Sequence, residues 1–218
     1  MSLLEFVNVY FSNDDDFIIK NLSFKIEAGD FISIVGPSGS GKSSLLKLCS
    51  HLHKPSNGKI LYKSIDMLDY DPIEIRKNIC YCFQTPHLFG NTVLENLIFP
   101  YKIRNNPADM DRVKYLLNLF NMSTDYLEKD ITNLSGGEKQ RISLIRSLIF
   151  KPEVLLLDEV TSALDVDNTK IVENIINNLN KEGVTILWIT HNPEQSRKYA
   201  NKILTIENGS LKSLEVLR

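Results

Sequence analysis

Phe31-Ile32-Ser33-Ile34-Val35-Gly36-Pro37-Ser38-Gly39-Ser40-Gly41-Lys42-Ser43-Ser44 decides how this chain is read. The first five residues are a short, nearly all-apolar run, as a strand needs when both its faces are buried in a parallel sheet. Gly36 and Gly41-Lys42-Ser43 then stand at the spacing G-x-x-x-x-G-K-[ST]. Beyond them Leu45, Leu48, Cys49 and Leu52 recur at helical spacing, which predicts an amphipathic helix. A strand, a glycine loop and a helix in that order have a chemical use. Glycines accept backbone angles that turn successive N–H groups inward, and the helix N-terminus adds positive dipole. The stretch from Gly36 to Ser44 therefore reads as a phosphate cradle. Lys42 would reach the β- and γ-phosphates, and the Ser43 hydroxyl would ligate Mg²⁺. The bland alternative is an ordinary glycine-rich turn, and the strand and helix on either side speak against it.

Two further stretches carry chemistry. Leu155-Leu156-Leu157-Asp158-Glu159 is an apolar strand ending in two carboxylates. In open parallel sheets ligands bind outside the carboxyl ends of strands. Asp158 is expected to hold Mg²⁺, directly or through water, and Glu159 to polarise an attacking water. Leu134-Ser135-Gly136-Gly137-Glu138-Lys139-Gln140-Arg141 opens a helix whose buried stripe is Ile142, Ile145, Leu148 and Ile149. Its serine and two glycines make a second candidate anion-binding helix start, or simply a serine N-cap with glycines nearby.

The remaining patterns place these motifs. Residues 3–10 and 22–26 read as strands with Asn13-Asp14-Asp15-Asp16 as the turn between them, and residues 79–83 as a strand leading into Gln84. From about 85 to 130 the character changes. Pro86, Pro100 and Pro107 punctuate helical patterns such as Val113, Leu116, Leu117 and Phe120. Then follow a helix over 136–150, a strand over 154–157, a helix over 168–180, a strand over 184–190 and a β-rich tail over 202–211. Alternating strands and helices imply a right-handed parallel α/β core, with a mostly helical lobe inserted.

The totals exclude several classes. The 218 residues, 43% of them hydrophobic, suffice for one sizeable core with a smaller lobe. With 25 basic against 27 acidic residues the net charge is -2, so no basic field favours nucleic acid or anionic lipid. Three cysteines, none in a C-x-x-C pair, argue against a disulfide framework and fit a reducing compartment. Met1-Ser2-Leu3-Leu4-Glu5 has neither the basic nor the apolar region of a signal peptide. The apolar runs 154–157 and 184–189 are too short to span a bilayer, so no direct membrane insertion is expected and any membrane role needs a partner. Cys80, Cys82, His87, His51 and His53 are not read as a metal site. Cysteines alternating on one face of a strand usually pack as small hydrophobes.

Leu134 to Arg141 resembles the signature motif of the ATP-binding-cassette ATPases, and the other motifs follow that family's order over nearly the whole chain. The resemblance implies a single 1–218 ATPase domain of the phosphate-loop α/β class. Its parallel-sheet core would span 1–84 and 136–218, with an N-terminal antiparallel β subdomain, and a helical subdomain would be inserted at about 85–135. Gln84 matches the glutamine that senses Mg²⁺ and water while touching the transport partner. His191 matches the switch histidine, which holds the γ-phosphate and the water. Asp165, in Ser162-Ala163-Leu164-Asp165, matches the residue that links two sites across a dimer. The resemblance also implies hydrolysis of ATP to ADP and phosphate with Mg²⁺. Each ATP would lie between residues 36–44 of one copy and Ser135, Gly136, Gly137 and Asp165 of a second, head-to-tail copy. A membrane-spanning permease subunit would hold the pair at the cytoplasmic face of the membrane.

The aromatic residue that the family stacks on adenine falls at Asn13 here, with Tyr10 and Phe11 out of register. Leu97-Ile98-Phe99-Pro100-Tyr101 either lines a groove for the permease or packs within the lobe. Gln84-Thr85-Pro86, Leu88-Phe89-Gly90, Asn96-Leu97-Ile98-Phe99-Pro100, Ile103-Arg104-Asn105 and Arg141-Ile142-Ser143-Leu144-Ile145-Arg146 resemble the ATPase subunits of bacterial iron-export transporters (the FetAB type). Subunits of amino-acid or lipoprotein-type transporters and non-transport cassette ATPases stay open. Importer subunits often carry a C-terminal regulatory domain, which is not expected after Ile206-Glu207-Asn208-Gly209.

Overall fold

A computed structural model describes residues 2–13 and 16–217; Asp14 and Asp15 of the expected turn lie outside the described residues. The chain divides into two compact units. The first comprises Met1–Tyr81, Pro152–Glu159 and Leu179–Arg218, and the second Cys82–Lys151 and Val160–Asn178.

The first unit holds two sheets. One is antiparallel, with β1 (Ser2–Asn13), β2 (Asp16–Glu27), β4 (Asn57–Tyr62) and β5 (Ile65–Asp66) in the order β2-β1-β4-β5. The other contains β3 (Phe31–Val35), β6 (Ile79–Cys82), β7 (Val154–Asp158), β8 (Thr185–Ile189), β9 (Lys202–Glu207) and β10 (Ser210–Val216), in the order β10-β9-β3-β8-β7-β6. Strands β3, β7, β8 and β9 run parallel, and β10 returns antiparallel along the edge. Strands β7 and β8 are buried along their whole length, which is why they read as unbroken apolar runs. Helices α1 (Lys42–Cys49), α2 (Pro72–Asn78) and α7 (Pro193–Lys198) belong to this unit. Leu45, Leu46, Leu48 and Cys49 of α1 are fully buried. Burying a side chain of leucine size contributes about 1.5–3 kcal/mol.

The second unit is helical, with α3 (Val93–Ile103), α4 (Met110–Leu119), α5 (Gly136–Leu148) and most of α6 (Val166–Lys181). The predicted stripe Ile142, Ile145, Leu148 and Ile149 is buried. Arg146 donates to Asn96 Oδ1 at 2.9 Å and to the His87 carbonyl at 2.8 Å, tying α3 and the segment before it to α5. In the apolar stretch before Arg104 the residues divide. Leu97 and Tyr101 are buried, whereas Phe99 is exposed and packs edge-on against Phe89 at 4.5 Å.

Two local expectations are corrected. The first two strands are longer than the apolar runs suggested, because the β1–β2 pairing continues through several register shifts to Asn13 and Asp16. Leu52 lies outside α1 and is 42% exposed. The helix ends at Cys49, and His51 takes the left-handed backbone conformation (φ 54°), which turns the chain away before Leu52. Among the described residues no helix is long and apolar enough to cross a membrane.

Candidate functional site

The glycine loop leaves β3 and enters α1 inside the first unit. Gly41 is the N-cap of α1 in a left-handed conformation (φ 100°), and no side chain caps the helix. The loop's glycines are needed for two reasons. At Gly36 (φ 147°) a Cβ would lie 2.0 Å from the Ile206 carbonyl oxygen, and at Gly41 one would lie 2.8 Å from Ile19 Cδ1. The first α1 turn contains no acidic residue, so its free N–H groups keep their positive character. Ser40 Oγ is buried and meets no hydrogen-bond partner among the described residues.

Lys42 is buried, and its ammonium donates to the carbonyls of Gly36 at 2.9 Å and Pro37 at 2.7 Å. Burial pulls its pKa below the usual lysine range, while the carboxylates of Glu159 and Asp158 pull it up. Ser43 donates to Asp158 Oδ1 at 3.1 Å. A hydroxyl and a carboxylate oxygen so close are hard oxygen donors of the kind Mg²⁺ prefers. Asp158 ends β7 and is itself buried. Its second oxygen, Oδ2, accepts a hydrogen bond from the Tyr81 hydroxyl at 2.6 Å.

Glu159 follows in a left-handed conformation (φ 50°), with its N–H donating to the Ile189 carbonyl at 3.1 Å. His191, just past β8, donates from Nε2 to Glu159 Oε1 at 2.8 Å. The Glu159 side chain is 18% exposed and that of His191 is 55% exposed. Lys42, Ser43, Asp158, Glu159 and His191 thus all lie in the first unit, at the start of α1 and at the carboxyl ends of β7 and β8.

The second unit carries the remaining candidates. Gln84 is exposed, two residues past the end of β6, and Gln140 donates to the neighbouring Phe83 carbonyl at 3.4 Å. Ser135 is the N-cap of α5 in a reciprocal capping box. Its hydroxyl accepts from the Glu138 N–H at 3.3 Å, and the Glu138 carboxylate accepts from the Ser135 N–H at 2.7 Å. The Tyr126 hydroxyl and then the Ser135 amide hold the Glu138 carboxyl down at a pKa of about 2. Gly136 is exposed, and a Cβ there would meet nothing within 4 Å. A Cβ at Gly137 would touch Leu164 Cδ2 at 3.4 Å, so the 162–165 segment packs beside this helix start. Asp165 is exposed and accepts from the Asn168 amide at 2.8 Å, which lowers its pKa.

Comparison with known proteins decides the family. The pattern of the ABC transporter family matches residues 19–162. The chain belongs to the ABC transporter family. Within it, the chain is 44% identical over 206 residues to the probable iron export ATP-binding protein FetA of Escherichia coli K12, covering 94% of this chain and 91% of that one. It is 32% identical over 217 residues to the spermidine/putrescine import ATP-binding protein PotA of Mycoplasma mycoides, covering 98% of this chain and 61% of that one. Among solved structures it superposes on the dimeric ATP-binding cassette MJ0796 in a post-hydrolysis state with ADP and Pi. That match has a TM-score of 0.89, 29% identity and 99% coverage of both chains. The α/β cassette fold and the role of an ABC ATP-binding domain, an ATPase that powers transport, follow from these matches.

One participant escaped sequence reasoning. Tyr81 reaches Asp158 only because β6 joins the sheet beside β7, and no local periodicity announces a neighbour 77 residues away.

Proposed function

We infer that this ABC ATPase hydrolyses ATP at a site built from Lys42, Ser43, Asp158, Glu159 and His191, closed by Ser135, Gly136, Gly137 and Asp165 of a second copy. The observation that carries this reading is the chain Ser43–Asp158 and Glu159–His191 at the ends of adjacent parallel strands. The N–H groups of residues 36–44 and the Lys42 ammonium bind the phosphates. Ser43 and Asp158 would hold Mg²⁺. The metal supplies neutralisation of charge on the phosphate oxygens. Glu159 accepts a proton from the attacking water, and His191 fixes the carboxylate that does so. Positioning and charge stabilisation account for the rate. Gly136 supports closure by a second copy. Nothing in its own fold requires a glycine there, whereas a docking surface close to phosphate does.

On the adenine side the best-supported residue is Phe11 rather than Asn13. Phe11 is the cross-strand partner of Ile19, whose Cδ1 abuts Gly41, and its ring stacks on His53 at 4.6 Å. Asn13 pairs with Asp16 at the far end of the hairpin. Phe11→Ala is expected to weaken ATP binding about five-fold, or about 1 kcal/mol. Asn13→Ala should leave it unchanged, and calorimetric titration separates the two.

The transporter is proposed to be a bacterial exporter of iron. The support is the 44% identity that runs nearly end to end with FetA, against 32% with the polyamine import subunit. A permease subunit would anchor the dimer at the cytoplasmic face, with the helical 85–135 segment toward it. Glu159→Gln is expected to bind ATP, dimerise and hydrolyse about 10²–10⁴-fold more slowly, a loss of about 3–5 kcal/mol. Turnover near wild type would exclude Glu159 as the base. The same variant, trapped with ATP in native membranes, should co-purify with a multi-span protein. Deletion of the chain should raise cellular iron, and unchanged iron content would rule out iron as cargo.

A further inference from the structure

We propose that Tyr81 is a positioning residue for the metal-binding carboxylate, holding Asp158 Oδ2 so that Oδ1 is presented to Ser43 and the metal. This inference rests on the reading of Ser43 and Asp158 as metal ligands.

A carboxylate on a strand end rotates about its Cβ–Cγ bond, and either oxygen can face a ligand. Here the two oxygens have different partners. Ser43 donates to Oδ1 at 3.1 Å and Tyr81 donates to Oδ2 at 2.6 Å. The Tyr81 contact has the length of a charge-assisted O–H···O⁻ bond, about 2.5–2.7 Å, which is stronger than a neutral one. Asp158 is 4% exposed, so water cannot readily replace a lost partner. The tyrosine is fixed in turn by the fold. Strand β6 is the edge strand beside β7, and alternation sends Tyr81 to the face opposite Cys80 and Cys82. A hydrogen bond from a rigid sheet to a metal-binding carboxylate is a second layer of support, and removing such a partner typically costs about 10–100-fold in metal affinity.

Tyr81→Phe in the full chain tests this, because it deletes one hydroxyl and keeps the ring. ADP is titrated calorimetrically without metal and then across a Mg²⁺ series, alongside thermal unfolding. The Mg²⁺-free ADP affinity should stay within about two-fold of wild type, while the Mg²⁺ concentration for half-maximal tightening should rise about ten-fold. In steady-state hydrolysis the same shift should appear in Mg²⁺ half-saturation, with kcat at saturating Mg²⁺ changed far less. Tyr81→Met, which also lacks the hydroxyl, should behave alike and guards against a defect peculiar to one variant. An unchanged Mg²⁺ requirement in both variants overturns the inference, and so does an equal loss of metal-free ADP affinity. Asp158→Asn separates the two levels. If it abolishes the Mg²⁺ response while Tyr81→Phe leaves that response intact, only the role of Tyr81 fails. If Asp158→Asn keeps a normal response, the reading of Asp158 as a ligand fails.

Discussion

Helices α1 and α5 both begin at glycines and serines, yet they end their backbones differently. The start of α1 has a left-handed glycine as N-cap, no side-chain cap and no acid in its first turn. The start of α5 is closed on itself, with Ser135 and Glu138 satisfying each other's amides and a carboxylate already lying on the positive end of the helix. Their glycines differ in the same sense. Gly36 and Gly41 are demanded by close backbone and side-chain neighbours, whereas Gly136 faces open space. One helix start leaves its first amides without a side-chain cap, open to an anion. The other is complete as it stands and offers a bare surface. Two similar-looking motifs therefore have different work. In the proposed site the first would bind phosphate by itself, and the second would serve a nucleotide carried by another copy.

This contrast can be broken experimentally. The largest effect is expected from exchanging the two glycine environments. Gly41→Ala puts an L-residue at φ 100° and a Cβ 2.8 Å from Ile19 Cδ1. It should lower stability by about 1–3 kcal/mol, with nucleotide binding lost as well. Gly136→Ala should leave the melting temperature unchanged or slightly raised, since alanine favours helix by about 0.5–1 kcal/mol, while abolishing ATP-driven dimerisation. Equal melting losses in the two variants would erase the distinction. Ser135→Ala removes a cap and should cost about 1 kcal/mol, or about 2–4 °C in melting temperature for a chain of this size.

The smallest effect concerns acid. Glu138 has a folded pKa of about 2 against an ordinary 4.5, so its bonds stabilise the fold fully above the ordinary value. That contribution is lost as pH falls through the window between the two values. Glu138→Gln should flatten the decline of the unfolding midpoint across that window, leaving a residual slope from Asp130 and Asp165, whose pKa values are also lowered. A wild-type slope in the variant would show that the α5 cap carries no charge-dependent stability.

Much of the first unit's site was legible because it is written in continuous segments. Residues 31–44 announce strand, loop and helix, and Val154 to Glu159 announces a buried strand ending in acids. Local spacing suffices where one segment supplies both the scaffold and the functional group. It fails where the scaffold is assembled from distant strands. The order β3-β8-β7-β6 is set by crossovers, so the Tyr81–Asp158 contact has no local signature. The end of α1 was misread for another reason. Leu52 continues the apolar spacing, but periodicity cannot detect the left-handed turn at His51. The length of the β1–β2 hairpin was hidden by its register shifts, which interrupt the alternation that marks a strand.

The left-handed backbone at Glu159 has a consequence for how this site tolerates random change. Only glycine, and to a lesser degree asparagine and aspartate, adopts that conformation readily, and β-branched residues resist it. With Glu159 as the proposed base, a saturation library at position 159 would be filtered twice, once by folding and once by hydrolysis, and the filters would prefer different residues. Folded, silent survivors should be rich in glycine and asparagine, active ones should keep glutamate, and valine and isoleucine should be absent from both pools.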